Sequence, residues 1–381
     1  MTPSIRLGRI FGIEIGVNWS LIFIFALITW TLAGTVLPQD VPNQSLTAYW
    51  TAAVFGALAF YGCLLAHELS HAVMARSRGV RVTGITLWLF GGVSRLGGEP
   101  RSAGAEALLT AVGPLTSFVA AGLAFGLSVI AAAAGAPALV QALLDWLAFL
   151  NVVLGVFNLV PAFPLDGGRL LSAFFWWRTG SRRQGVHRAV QVGRVFAYLM
   201  IALGVFELFS GLLVNGIWIA FIGWFLLSAA GAEESATTTR AALRSVPVSA
   251  AMSSPVVTVP DWLMIEDFLQ SAAAPYHFTT YALHDPSGTL TGLVRLGELL
   301  RVPPRARVQQ RLRDVATPIS QVLTASPDEP LDHLIERVGG AFDRRVLVFD
   351  HGQRLVGIVS PSDVARLVLL RQAVGDRPLA A

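Results

Sequence analysis

Residues 49–75 read YWTAAVFGALAFYGCLLAHELSHAVMA. Setting the tyrosines and Cys63 aside, the only ionisable side chains in this run are His67, Glu68 and His71. A segment this long and apolar predicts a helix able to cross a bilayer, and ionisable groups inside such a helix need a partner or a function. Residues four apart share one helix face, so the imidazoles of His67 and His71 can grip a single metal ion. Glu68 then stands beside the open coordination position, where it can take a proton from water. The spacing predicts a hydrolytic zinc site with one zinc per chain, rather than a chance pair of buried histidines.

Working outward, the chain is 54% hydrophobic and 14% charged, but the average conceals two unlike halves. Long apolar segments fill residues 1–232; beyond a polar, threonine-rich stretch at 233–241, charge density rises and the apolar runs shorten. This predicts a membrane domain, a linker and a soluble domain. The formal charge of +4 comes from arginine without any lysine, and nothing in its distribution argues for a nucleic-acid partner. Cys63 is the single cysteine, so no internal disulfide can form; it reads as a small core residue rather than a ligand.

Six apolar segments are expected to span the membrane, at about 19–37, 49–75, 105–134, 138–160, 195–209 and 212–230, the fifth being the shortest. Arginines gather in alternate gaps: Arg6 and Arg9 before the first segment, Arg76 to Arg101 after the second, Arg178 to Arg194 before the fifth. The intervening gaps lack arginine, so both termini and the catalytic end are expected in the cytoplasm of a multi-pass plasma-membrane protein. His71 precedes Arg76 by five residues. That places it roughly 7–8 Å below the inner interface, with His67 about 6 Å deeper.

Two histidines leave a catalytic zinc one protein ligand short. Asn158-Leu159-Val160-Pro161-Ala162-Phe163-Pro164-Leu165-Asp166-Gly167-Gly168-Arg169 closes the fourth segment. Its prolines break a helix and its glycine pair permits close backbone approach, so it can deliver Asp166 on irregular backbone into a protein-lined cavity. Asp166 is the expected third ligand. Together, H-E-x-x-H and N-x-x-P-x-x-x-L-D-G resemble the site-2 protease family of intramembrane zinc metalloproteases. The resemblance implies His67, His71 and Asp166 as ligands, Glu68 as general acid and base, and Asn158 as a polar group that holds substrate or the oxyanion. It also implies a single-span membrane protein as substrate, such as an anti-sigma factor or another tethered regulator.

A transmembrane helix keeps its carbonyls in its own hydrogen bonds, so a substrate must unwind before cleavage. Residues 80–98 are rich in β-branched and aromatic residues with paired glycines, and residues 5–17 alternate apolar with other side chains; both read as strands. A re-entrant hairpin with Gly91, Gly92 and Val93 is expected to take up the unwound peptide as an added strand.

From residue 242 the sequence holds two similar units, 242–304 and 305–372, followed by a tail at 373–381. The second reads strand, turn, strand, helix through Val346-Leu347-Val348-Phe349, Leu355 to Val359 and Ser360-Pro361-Ser362-Asp363. It resembles a cystathionine-β-synthase-type (CBS) domain, which implies that Ser360 and Asp363 contact the ribose of an adenine nucleotide, ATP or AMP. The first unit has Arg295 and Glu298 at those places and reads as degenerate. A CBS pair implies regulation and a homodimer through these units. The expected fold is thus an α-helical polytopic membrane protein of about six spans with a β-hairpin, followed by an α/β CBS pair. The rival reading is a CBS-regulated transporter or channel with a non-catalytic metal site.

Overall fold

The computed structural model describes residues 4–80, 82–88, 91–96, 98, 100–243, 246–272, 278–338 and 345–374. The chain divides into two units, Met1–Thr238 and Thr239–Ala381.

The first unit contains helices α1 (Leu21–Asp40), α2 (Leu46–Ser77), α3 (Ala103–Ala133), α4 (Ala138–Asn158), a shorter α5 (Asp166–Thr179), α6 (Arg182–Phe209) and α7 (Leu213–Leu243). Among the described residues, all but α5 are long and apolar enough to cross a bilayer, six in number. Serines start several of them: Ser45, Ser102 and Ser181 accept from the backbone N–H groups of Ala48, Ala105 and Gln184, satisfying donors that a helix start leaves free. Their outward faces carry Phe55, Leu123, Phe149, Leu199 and Trp218, each at least 60% exposed. A belt of this extent is stable against lipid rather than water, and the chain is a multi-pass membrane protein.

Strands β1 (Ile5–Ile10), β2 (Ile13–Val17), β3 (Val82–Trp88) and β4 (Gly91–Leu96) form one sheet in that order. β1 and β2 are antiparallel; β2 runs parallel to β3, with Ile15 opposite Ile85; β3 and β4 form the expected hairpin, with Leu87 opposite Gly92 and Thr86 opposite Val93. The two strand regions expected separately are therefore one four-stranded sheet with β4 at its edge. Ile13, Ile15, Ile85 and Leu87 alternate onto one face and pack against Ala72 and Ala75 of α2 and Leu109 of α3. That packing fixes the sheet beside His71.

Three local features differ from expectation. The fifth span begins at Arg182 rather than at 195, because Ser181 caps a polar first half that hydropathy alone does not register. The polar stretch at 233–241 is helical: α7 continues to Leu243, carried by alanine and glutamate, which are good helix formers. The irregular backbone after α4 ends at Leu165, and Asp166 opens α5.

The second unit holds β5 (Thr258–Pro260), β6 (Thr280–His284), β7 (Leu290–Arg295) and β8 (Thr317–Pro318) in one sheet, in that order. A second sheet has the order β11 (Leu355–Val359), β10 (Val346–Phe349), β9 (Leu323–Ala325). The helices of this unit include α8 (Leu296–Arg301), α9 (Leu331–Val338) and α10 (Pro361–Val374), and the order strand, turn, strand, helix occurs twice. The repeats exchange segments. Val246, Val248 and Ala251 lie in the core of Leu331, Val346 and Val359, while Leu312 is buried with Tyr281 and Leu299. Ser253 bridges Ile358, and Thr317 pairs with Leu293. Each core therefore borrows chain from the far side of residue 304. Residues 375–381, most of the expected tail, lie outside the described residues.

Candidate metal centre

α2 sets His67 and His71 on one face with their Nε2 atoms 3.2 Å apart. Asp166, the first residue of α5, points its Oδ2 at both, 3.3 Å from His67 Nε2 and 3.2 Å from His71 Nε2. The loop that delivers it is tight for the reason the sequence suggested. A Cβ at Gly167 would strike the backbone carbonyls of Leu159 and Val160, and one at Gly168 the backbone of Ala162 and Phe163. Ala162 and Phe163 are themselves buried, which anchors the loop between helices.

The outer nitrogens are held by α3. His71 Nδ1 lies 2.7 Å from the Leu109 carbonyl, which only accepts, so this nitrogen carries the proton and Nε2 presents a lone pair. His67 Nδ1 lies 2.9 Å from Ser117 Oγ. Two imidazole Nε2 atoms and a carboxylate oxygen thus converge in a pocket where the His67 side chain is 3% exposed and those of His71 and Asp166 12% each. With Ser117 accepting from His67 Nδ1, both Nε2 atoms present lone pairs, and acceptors crowded this closely repel one another unless a cation lies among them. The three donors fit a zinc site, with two nitrogen ligands and one oxygen ligand.

Glu68 follows His67 on α2 and meets the edge strand. The Gly92 N–H donates to the Glu68 carboxylate, and a Cβ built on Gly92 would stand 2.9 Å from Oε1 and nearer still to Cγ and Cδ. Gly91 closes the hairpin turn with φ of 126°, a value that favours glycine. Val93 stands in β4 opposite Thr86, and its side chain lies outside the described residues. Asn158, the last residue of α4, donates from its amide to the Leu154 carbonyl at 3.0 Å, a bond within its own helix.

Sequence reasoning missed Leu109, Gly113 and Ser117, although their four-residue spacing repeats that of the histidines. It also missed Glu106, which is 2% exposed and paired at 3.2 Å with Arg182, joining the start of α3 to the start of α6.

In the second unit, Ser360 and Asp363, the residues expected to meet a ribose, contact each other, and the carboxylate has partners within the chain. Ser360 donates to Asp363 Oδ2 from its N–H at 2.9 Å and its hydroxyl at 2.5 Å, and the Ser253 hydroxyl donates to Oδ1 at 2.8 Å. Asp363 thereby caps the start of α10. At the equivalent place in the other repeat, Arg295 pairs with Glu298 at 2.5 Å. Burial, with Arg295 alongside, pushes the Arg345 guanidinium below its ordinary pKa.

Residues 55–135 and 127–202 match the family described as Peptidase family M50, and residues 312–370 match the CBS domain. The chain is 42% identical over 368 residues to Rip3 of Mycobacterium tuberculosis, named as a zinc metalloprotease, covering 97% of this chain and 93% of that one. It is 27% identical over 367 residues to a zinc metalloprotease of Methanocaldococcus jannaschii, covering 96% of each. Among solved structures it is similar to the site-2 protease from Methanocaldococcus jannaschii, at 26% identity and a TM-score of 0.41, over 60% of this chain and 94% of that one.

Proposed function

The chain belongs to peptidase family M50, as a zinc metalloprotease of the site-2 type with a CBS domain, and we propose that His67, His71 and Asp166 hold its zinc while Glu68 moves the protons of peptide hydrolysis. The observation that carries this reading is the convergence of His67 Nε2, His71 Nε2 and Asp166 Oδ2, with the Glu68 carboxylate on the same helix. When bound, zinc supplies Lewis acidity, which acidifies water and polarises a carbonyl. Leu109 and Ser117 keep the imidazoles oriented with Nε2 inward. Glu68 takes a proton from the attacking water on its carboxylate oxygen and returns it to the departing amide nitrogen. Asn158 reaches the substrate or the oxyanion only by giving up its bond to Leu154.

The substrate is a membrane protein, and on our reading a single-span regulator, an anti-sigma factor or another tethered protein, cut within or near its transmembrane segment. β4 is a sheet edge and its Gly92 faces Glu68, which supports an unwound peptide joining the sheet at Gly91, Gly92 and Val93 and passing the base. The arginine distribution supports a cytoplasmic CBS pair. We assign that pair to regulation by ATP or AMP at Ser360 and Asp363, with the nucleotide competing against the Ser253 hydroxyl, and to homodimer formation.

The test is metal content. His67→Ala, His71→Ala and Asp166→Ala, purified in detergent, should each lose the zinc that the unaltered chain retains; three variants that keep it would sink the assignment. A transporter or channel with an incidental metal site predicts, in contrast, that chelation leaves every membrane peptide uncut or unchanged.

A further inference from the structure

α3 meets the two histidines along one stripe. Leu109, Gly113 and Ser117 are four residues apart and share a helix face, as His67 and His71 do on α2. The match is antiparallel: Leu109 bonds His71, Ser117 bonds His67, and Gly113 falls between them. A Cβ built on Gly113 would lie 2.7 Å from His67 Nε2 and nearer still to His71 Nε2 and Cε1, its three nearest atoms. These are the two nitrogens that face Asp166. Non-bonded carbon contacts settle at roughly 3.5 Å, so a methyl group there cannot coexist with the imidazoles as they stand.

The helix makes a sacrifice at this point. Gly113 is followed by Pro114 inside α3, and these are the two poorest helix formers. Crowding elsewhere does not explain the glycine as a general habit of α3, since a Cβ at Gly104, Gly122 or Gly126 would meet nothing within 4 Å.

We infer that Gly113 is the position that sets the room for the metal: its bare Cα leaves open the space between His67 Nε2 and His71 Nε2, and any side chain at 113 closes that space and excludes the ion. The inference rests on reading His67, His71 and Asp166 as the ligands. Gly113 is on this account a positioning residue of the site, acting by the volume it leaves empty.

The experiment compares zinc content and zinc affinity of the full chain in detergent for the unaltered protein, Gly113→Ala, His71→Ala and the control Gly122→Ala, with helical circular dichroism and thermal unfolding on each. Outer-shell changes around zinc histidines cost roughly 10–100-fold in affinity, so a blocked site should exceed about 100-fold. Gly113→Ala should fall to the zinc content of His71→Ala while keeping its helical signal, and Gly122→Ala should match the unaltered chain. Zinc retained by Gly113→Ala overturns the inference. If His71→Ala also keeps its zinc, the ligand assignment has failed instead, which separates the two outcomes. Should Gly113→Ala fail to fold, the triple variant Gly113→Ala with His67→Ala and His71→Ala is decisive, because the methyl strikes both rings. Removing both rings should restore the helical signal, and a triple variant that stays unfolded overturns the inference.

Discussion

Gly92 lies against the Glu68 carboxylate so closely that glycine alone fits: a Cβ there would stand 2.9 Å from Oε1, and the Gly92 N–H already donates to the carboxylate. A residue on the edge strand thus sets where the proposed base points. Gly92→Ala must push Glu68 aside, and Gly92→Pro also removes the N–H. Misplacing a catalytic group by about 1 Å costs on the order of 100-fold, so cleavage by either variant should fall by about that factor. Zinc content should not change, because the ligands lie on other elements. Cleavage at the unaltered rate would remove the edge strand from the mechanism.

Ser117 and Leu109 predict an outer-shell effect. Ser117→Ala leaves His67 Nδ1 without its 2.9 Å partner in a buried site, so zinc affinity should drop roughly 10–100-fold. Competition with a chelator of known affinity measures this directly. The Leu109 contact uses a backbone carbonyl, so substituting Leu109 should leave affinity nearly unchanged if the helix holds its place.

Much of this centre is legible in the sequence, and the missing parts are missing for a reason. His67 and His71 declare themselves by spacing, and Asp166 by the prolines and glycines around it. The Leu109 carbonyl cannot be read from residue type, because every residue has one. Gly113 reads as a weak spot in a helix until the neighbouring helix is known. The helix at α5 was hidden behind the glycine pair that opens it, and the polar first half of α6 behind its arginines. The exchange of 246–253 and 312–318 between the CBS repeats is a tertiary event, and repeat similarity alone places each segment with its sequence neighbours.

The Glu106–Arg182 pair predicts a stability effect without direct contact with the ligands. Glu106 is 2% exposed and accepts from Arg182 Nε, so Glu106→Ala removes a buried carboxylate and its bond to the guanidinium. Removing one member of a fully buried pair costs about 3–5 kcal/mol, and the Arg182 side chain, 18% exposed, keeps part of its solvation, so the loss should be smaller. The thermal unfolding temperature in detergent should fall by several degrees, and an unchanged value would mean that the pair is solvated in the membrane-embedded protein.

In the CBS pair, Asp363→Ala removes three hydrogen bonds at the start of α10 and should cost about 1 kcal/mol as a lost cap. It should also abolish ATP or AMP binding measured by titration calorimetry. Ser253→Ala releases one oxygen of the same carboxylate and should tighten nucleotide binding. Equal affinity in all three proteins would move any nucleotide site away from Ser360 and Asp363.

The most direct test is Glu68→Gln, followed in cell membranes by zinc content and by mass spectrometry of new peptide termini within transmembrane segments. General acid and base catalysis is worth roughly 10²–10⁴-fold, so the termini produced by the unaltered chain should fall by at least the lower factor while zinc stays bound. The same termini at the same abundance from Glu68→Gln, persisting after chelation, would contradict the account.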